Sequence, residues 1–229
     1  MKIKWGAMVT QGSGKLGGHV FARNRGGSYI RTNATPSNPQ TVTQQLSRNL
    51  LTQFSQGWSA LTNAQRIGWN DATEFFQRTD QFGDVRKLSG KNLYTSLNKV
   101  NAAAGQQIIE NAPQPEQIGV NVVREVEFQK TAETITIIGE FTLNETYAII
   151  ATPSLSAGTT FVKNRLRVIG YVNCDDVAIL GDPNEYYGLY VDRFGVPEDG
   201  ANIVIGTYAI NSIGQRSPGA TVKAEVVSD

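Results

Sequence analysis

The chain has 229 residues, of which 40% are hydrophobic and 18% charged, with 21 Lys or Arg, 20 Asp or Glu, one His and one Cys. That length holds two modest domains, or one domain and an extension. No run of about 18 apolar residues is present to cross a bilayer, a lone Cys174 excludes an intrachain disulfide, and one His with one Cys excludes a His/Cys zinc site by count. The near-neutral total hides an asymmetry. The first seventy residues carry eight basic residues (Lys2, Lys4, Lys15, Arg23, Arg25, Arg31, Arg48 and Arg66) and no acid, whereas residues 71–229 carry all the acids and a net charge of −7. A one-signed end of this kind marks a partner for that end.

Residues 1–40 read as an extended, basic, Gly-rich arm. The opening MKIKWGAMVTQGSG lacks the apolar stretch of a secretory signal. HVFARN and SYIRT suit two short strands, with Arg25, Gly26 and Gly27 as the turn. An isolated hairpin is marginal in water, and glycine-rich backbone is costly to order. The arm is therefore expected to be mobile or to be fixed by a surface supplied from elsewhere. Pro36 and Pro39 hold off helix until the next segment.

Residues 41–110 read as a helical docking segment. Leu46, Leu50, Phe54 and Trp58 recur every four residues and so share one stripe. Thr62 and Gln65 fit a capping box, which opens a second helix over residues 63–77 bearing Ile67, Trp69, Ala72, Phe75 and Phe76. After a loop, RTDQFGDVRKLSG, Ser89 caps a third helix with Leu93, Leu97 and Val100 on one face and Gly105 as its terminator. The expected helical packing core is Leu46, Leu50, Phe54, Trp58, Trp69, Leu93 and Leu97.

NAPQPEQ at 111–117 reads as a linker. From 118 to 229, seven short β-branched or aromatic runs succeed one another at intervals of about ten residues, which is the pattern of an all-β immunoglobulin-like sandwich. NEYYGLYVDRF is taken as one of the seven strands. The expected fold class is α+β and multidomain: extended arm, small helical segment, β-sandwich.

No constellation for catalysis emerges. GSGKLGG lacks the first Gly and the final Ser or Thr of a phosphate loop, having Val9 and Leu16 instead. His19 has no acid near it in sequence for a triad. Asp175 and Asp176 beside Cys174 would raise a thiol pKa, which suits a structural cysteine. Asp175, Asp176, Asp182 and Glu185 do not have EF-hand spacing and read, with Asp192, Glu198 and Asp199, as solvated loop charges. No cofactor or metal is expected. The basic arm carries the functional signal. Lys15, Arg23, Arg25 and Arg31 could neutralise phosphates, but Val20, Phe21 and Tyr29 lie among them, which favours an arm laid into a protein groove over nucleic acid. Trp5 joins this docking set as an aromatic anchor.

The order of elements resembles a family seen in Bacteroidetes and their crAss-like tailed phages. The resemblance rests on a Gly-rich arm, then Pro36, Asn38, Pro39 and Thr41 ahead of a Gln/Arg-bearing helix. It continues with Trp58, Leu61, Thr62, Gln65, Arg66 and Trp69 in W-x-x-L-T-x-x-Q-R-x-x-W, then Ser89, Gly90, Asn92, Tyr94 and Asn98 in S-G-x-N-x-Y-x-x-x-N. It spans about residues 14–105. The resemblance implies a virion structural protein, assembled in the host cytoplasm, with the major capsid protein or other virion proteins as partners; in a ring, repeated copies would also contact one another through the arm. The expectation is a non-enzymatic head auxiliary (decoration or cementing) protein, or alternatively a neck or tail ring or adaptor. A reading from another class is a host-surface or glycan-binding module with Tyr186, Tyr187, Tyr190 and Tyr208 as stacking residues.

Overall fold

The computed structural model describes residues 1–4, 6, 11–24, 27–80, 82–156 and 158–228. The chain forms two compact units, Met1–Leu50 with Gln77–Lys87, and Leu51–Phe76 with Leu88–Asp229.

In the first unit, β1 (Gly14–Leu16), β2 (His19–Asn24) and β3 (Gly27–Thr32) form an antiparallel sheet in chain order. The expected hairpin is therefore present, but with a third strand before it. Residues 1–3 extend the sheet: the Ile30 amide donates to the Met1 carbonyl at 2.8 Å and the Ile3 amide to Ser28 at 3.1 Å. The segment expected to be a plain loop after residue 77 contains a second hairpin, β4 (Arg78–Thr79) and β5 (Val85–Arg86). The missed signal is Asp80 followed by Gly83, whose φ of 83° only glycine adopts freely.

Helix α1 spans Val42–Ala60. Thr41 Oγ1 accepts from the Gln44 amide at 3.4 Å, and Arg48 Nη2 donates to Asn38 Oδ1 at 2.7 Å, which ties the proline-rich element to the helix it precedes. The expected core stripe is only partly a core. Phe54 is buried, Leu50 and Trp58 are half-buried, and Leu46 is 58% exposed. Periodicity identifies a face of a helix but not what covers it.

In the second unit, α2 (Asn63–Ala72) and α3 (Gly90–Ala103) pack on each other. The corner between α1 and α2 is fully wired. Thr62 and Gln65 form the capping box, and Arg66 donates to the Trp58 carbonyl at 3.2 Å and to the Ser59 carbonyl at 2.6 Å, satisfying the last carbonyls of α1. Helix α2 ends at Ala72 rather than near 77, because the Glu74 and Phe75 amides bond three residues back and tighten the turn. Phe75 is consequently exposed, as is Ile67. Ser89 caps α3 by accepting from the Asn92 amide. Tyr94 lies at the centre of an aromatic cluster, 5.3 Å from Trp69, 5.8 Å from Trp58 and 6.3 Å from Phe54. Trp69 is fully buried and donates its indole N–H to the Glu110 carbonyl. Asn98 clamps the Ile109 backbone through both its amide groups.

The rest of this unit is one six-stranded sheet in the order β7-β6-β11-β10-β8-β9. The strands are β6 (Asn121–Gln129), β7 (Thr134–Phe141), β8 (Thr146–Ala151), β9 (Arg167–Asn173), β10 (Asn202–Ile210) and β11 (Ala220–Val227). All neighbours are antiparallel except β6 and β11, which meet in parallel at Phe128–Val226 and Gln129–Val227. The expected strand NEYYGLYVDRF is instead helix α4 (Pro183–Phe194). Asp182 caps it by accepting from the Asn184 amide, Pro183 occupies its first turn, and Gly195 ends it. Helix α4 packs against β7 and β9, the two edge strands, so the sheet curls toward it. Gly170 permits this closeness on β9, since a Cβ there would lie 2.6 Å from Leu189 Cδ1. The outer edge of β7 is covered by residues 177–180, with bonds from Gly139 to Ala178, Phe141 to Val177 and Leu180 to Ile137. The core enclosed includes Phe128, Ile137, Tyr147, Ile149, Ile203 and Ile205.

Helix α3 is fastened to this sheet. Val100 packs with Ala148 and Ile210, Asn101 donates to the Ser212 carbonyl, and Gln106 donates to Thr146 Oγ1. In the segment expected as a linker, the Glu116 amide bonds Gln215 Oε1. The α+β class stands, and helices α2 and α3 fold as part of the β unit.

Gly90 provides a sharp test of the α2–α3 contact. A Cβ there would lie 2.5 Å from Asn70 Oδ1 and 2.8 Å from the Asn70 backbone nitrogen. Helix propensity alone favours Ala over Gly by about 1 kcal/mol. The expected outcome of Gly90→Ala is nevertheless a loss of ~1–3 kcal/mol, read as a lowered urea midpoint. An unchanged or raised midpoint would contradict this packing.

Candidate functional site

The unit formed by residues 1–50 and 77–87 contains, among its described residues, none that is buried as a whole. Val20, Phe21, Tyr29 and Ile30 are half-buried, and Leu16 is largely exposed. Alternation in the strands sorts the side chains onto two faces. Lys15, Val20 and Arg31 are Cα partners across the three strands and form one rung, with Ala22 and Tyr29 as the next rung on that face. Phe21 and Ile30 pair on the opposite face, where Arg23 lies beyond them. Lys15, Arg23 and Arg31 are exposed and form no ion pair among the described residues. Of the expected docking set, Trp5 and Arg25 lie outside the described residues. The other six all fall on this sheet, but split between its faces.

The unit is held by charge rather than by a core. The Asp80 side chain is only 3% exposed. Its Oδ1 accepts from the amides of Phe82 at 2.8 Å and Asp84 at 3.2 Å, and its Oδ2 accepts from Arg86 Nε at 3.2 Å. Lys2 Nζ stands 3.6 Å from Oδ2, which links the β4–β5 hairpin to the N-terminal strand. Lys4 repeats the link with Asp84 at 2.7 Å and lies 5.3 Å from the centre of the Phe82 ring. Burial pushes the Asp80 carboxyl pKa up, but the two amides, Arg86 and the charge on Lys2 outweigh it and hold the pKa below the ordinary value. A cleft of about 110 Å³ lies among Lys2, Lys4, Gly27, Asp80, Phe82 and Arg86, and these same groups already pair within it. Sequence reasoning missed Asp80 and Asp84. They lay in a segment read as loop, and their partners Lys2 and Lys4 are nearly eighty residues away.

The charge asymmetry coincides with the structural division. Residues 1–50 and 77–87 hold ten Lys or Arg and two acids, and the other unit has a net charge of −7.

The tyrosines considered for stacking do not form a platform. Tyr186, Tyr187 and Tyr190 are 1%, 8% and 1% exposed, on the core side of α4, and Tyr187 and Tyr190 pack on Phe128. Burial pushes the phenol of Tyr190 to about 12 and raises that of Tyr186 further. Tyr208 is half-buried with Arg216 over its ring at 5.2 Å. Cys174 is buried, its thiol raised first by burial and, less, by Asp175 and Asp176, and its Sγ donates to the Asp176 carbonyl. Among the described residues no group of three or more His, Cys, Asp or Glu is arranged to hold a metal ion, and no helix is long and apolar enough to cross a membrane.

No protein-family model matches the chain. No curated protein matches it. Among solved structures it is similar to a β-1,2-glucanase from Parabacteroides distasonis, at 14% identity and a TM-score of 0.33, over 51% of this chain and 14% of that one. At that TM-score the likeness bears on neither fold nor activity.

The Asp80 cluster gives a pH prediction. A carboxyl with a depressed folded pKa stabilises the folded state above its unfolded pKa and loses that contribution as pH falls through the folded value. The hairpin-to-strand link should therefore be complete above about pH 4 and weaken below it. The Phe82 and Asp84 amide resonances should titrate together with a midpoint below about 3.9, and Asp80→Asn should remove that step. A midpoint above that value would show that Asp80 is not held by these donors.

Proposed function

We propose that this chain is a non-enzymatic structural protein of a tailed-phage virion, a head auxiliary protein that docks on the major capsid protein through its N-terminal unit. The observation that carries the reading is a sheet in which, among the described residues, none is buried and the exposed cations form no ion pair. Half-buried Val20, Phe21, Tyr29 and Ile30 gain further hydrophobic stabilisation when a second surface covers the rest of their area. A standard interface buries roughly 1,200–2,000 Å² in total, and a sheet with flanking segments of forty residues can supply one side of it.

The phage resemblance adds support of a different kind. Its motif residues account for fold rather than chemistry: Thr62, Gln65 and Arg66 cap helix ends, Trp69 and Tyr94 fill the helical core, and Ser89 and Asn98 fasten α3. A signature composed of packing and capping residues fits a scaffold. In the same reading the curled sheet is an immunoglobulin-like domain. Strands β8, β10 and β11 neighbour one another as strands C, F and G do in that fold, and α4 stands where a further strand would close the domain.

The alternative is a neck or tail ring component, favoured by the opposite charge of the two units, since head-to-tail contacts between copies close into rings. A cryo-EM map of intact particles separates the two: density on the faceted head supports the auxiliary protein, density confined to the portal–tail axis supports the ring, and absence from the particle removes both. Deleting residues 1–40 should abolish particle incorporation while residues 118–229 keep their far-UV circular dichroism and cooperative melting. Full occupancy by the truncated chain would show that the N-terminal unit is not the docking element.

A further inference from the structure

Residues 168–192 carry five acids and no base, a mirror of the acid-free N-terminal segment. They surround an open cleft of about 430 Å³ lined by Val172, Asp175, Asp176, Ile179, Asp182 and Glu185. All four acids are exposed, and so are Val177 and Ile179 beside them. None of the four forms a salt bridge among the described residues. Behind the cleft wall lies an unpaired hydroxyl. The Tyr186 O–H is buried without a hydrogen-bond partner among the described residues, and it ends against Gly181, which lines the cleft. Buried polar atoms are rarely left unpaired.

We propose that this acidic cleft is the docking site for the basic sheet of a second copy of the same chain, which receives the Lys15–Val20–Arg31 rung. The rung matches the cleft in chemistry. Two cations flank an apolar residue, with Tyr29 on the next rung, and the cleft presents carboxylates around Val172 and Ile179. Lys15 and Arg31 stand on the outer two of three strands, about 10 Å apart at the backbone, so one cleft can engage both. The contact joins the sheet of one copy to the cleft of another, and the rotation between copies decides whether it closes as a reciprocal pair or a ring, or runs on as a filament. This inference rests on reading the basic sheet as a docking element, but not on the identity of the particle.

Sedimentation velocity on the full chain tests it with two one-sided variants, each first checked for native circular dichroism. Wild type should form oligomers at roughly 0.05 M salt that dissociate near 0.5 M, where the Debye length falls well below 10 Å. Lys15→Glu/Arg31→Glu and Asp175→Lys/Glu185→Lys should each be monomeric alone, with association weakened at least about tenfold. Mixed, they should associate again, because the mixture restores a wild-type sheet facing a wild-type cleft and the two reversed surfaces are complementary as well. A monomeric wild type, a variant that assembles like wild type, or a mixture that stays monomeric would each overturn the proposal. A monomeric wild type that still needs residues 1–40 to enter particles would overturn this inference alone and leave the docking reading standing.

Discussion

An antiparallel sheet of three short strands gains little from its own hydrogen bonds, because the unfolded backbone is bonded to water. It persists when one face is covered. Residues 14–32 make such a sheet, and its apolar side chains remain half exposed. The unit is organised around a buried carboxylate, with Asp80 gathering two amides, an arginine and a lysine. That arrangement orders the backbone while leaving the apolar and cationic faces available, which is the physical basis for treating this unit as a contact surface.

The other unit is its opposite in each respect. It holds all the fully buried residues among those described, and it is acidic. Its curled sheet leaves two edge strands, β7 and β9, and both are managed by the stretch of chain between β9 and β10. Residues 177–180 bond along β7, and α4 then packs on β7 and β9. The same stretch presents Asp175, Asp176, Asp182 and Glu185 outward. It thus closes the fold on its inner side and concentrates negative charge on its outer side. The charge there has a positional cause: carboxylates are tolerated on a covering segment only on the side that faces water.

The helical signatures were legible in the sequence because their causes are local. A capping box, a Ser cap, a terminating Gly and an i, i+4 stripe are set by residues within one or two turns, and α1, α2 and α3 lie where those signals fall. The β2–β3 hairpin and six of the strands were legible for the same reason, since alternation and turn residues act over a few positions. Helix α4 was misread although its signals were present. Asp182-Pro183 at the start and Gly195 at the end mark a helix, but β-prone Tyr186, Tyr187, Tyr190 and Val191 between them look like a strand. Tertiary burial against Phe128 decided the matter.

The sequence by itself determined the local elements, the charge asymmetry and the set of cationic and apolar residues on the N-terminal segment, because each is a property of neighbours in the chain. Only the tertiary structure decided that α2 and α3 belong with the sheet, that Leu46 stays exposed, that Lys15 and Arg31 share a rung while Arg23 faces away, and that Asp80 meets Lys2. These depend on which surfaces meet across tens to more than a hundred residues. Periodicity names a face, and burial depends on what arrives to cover it.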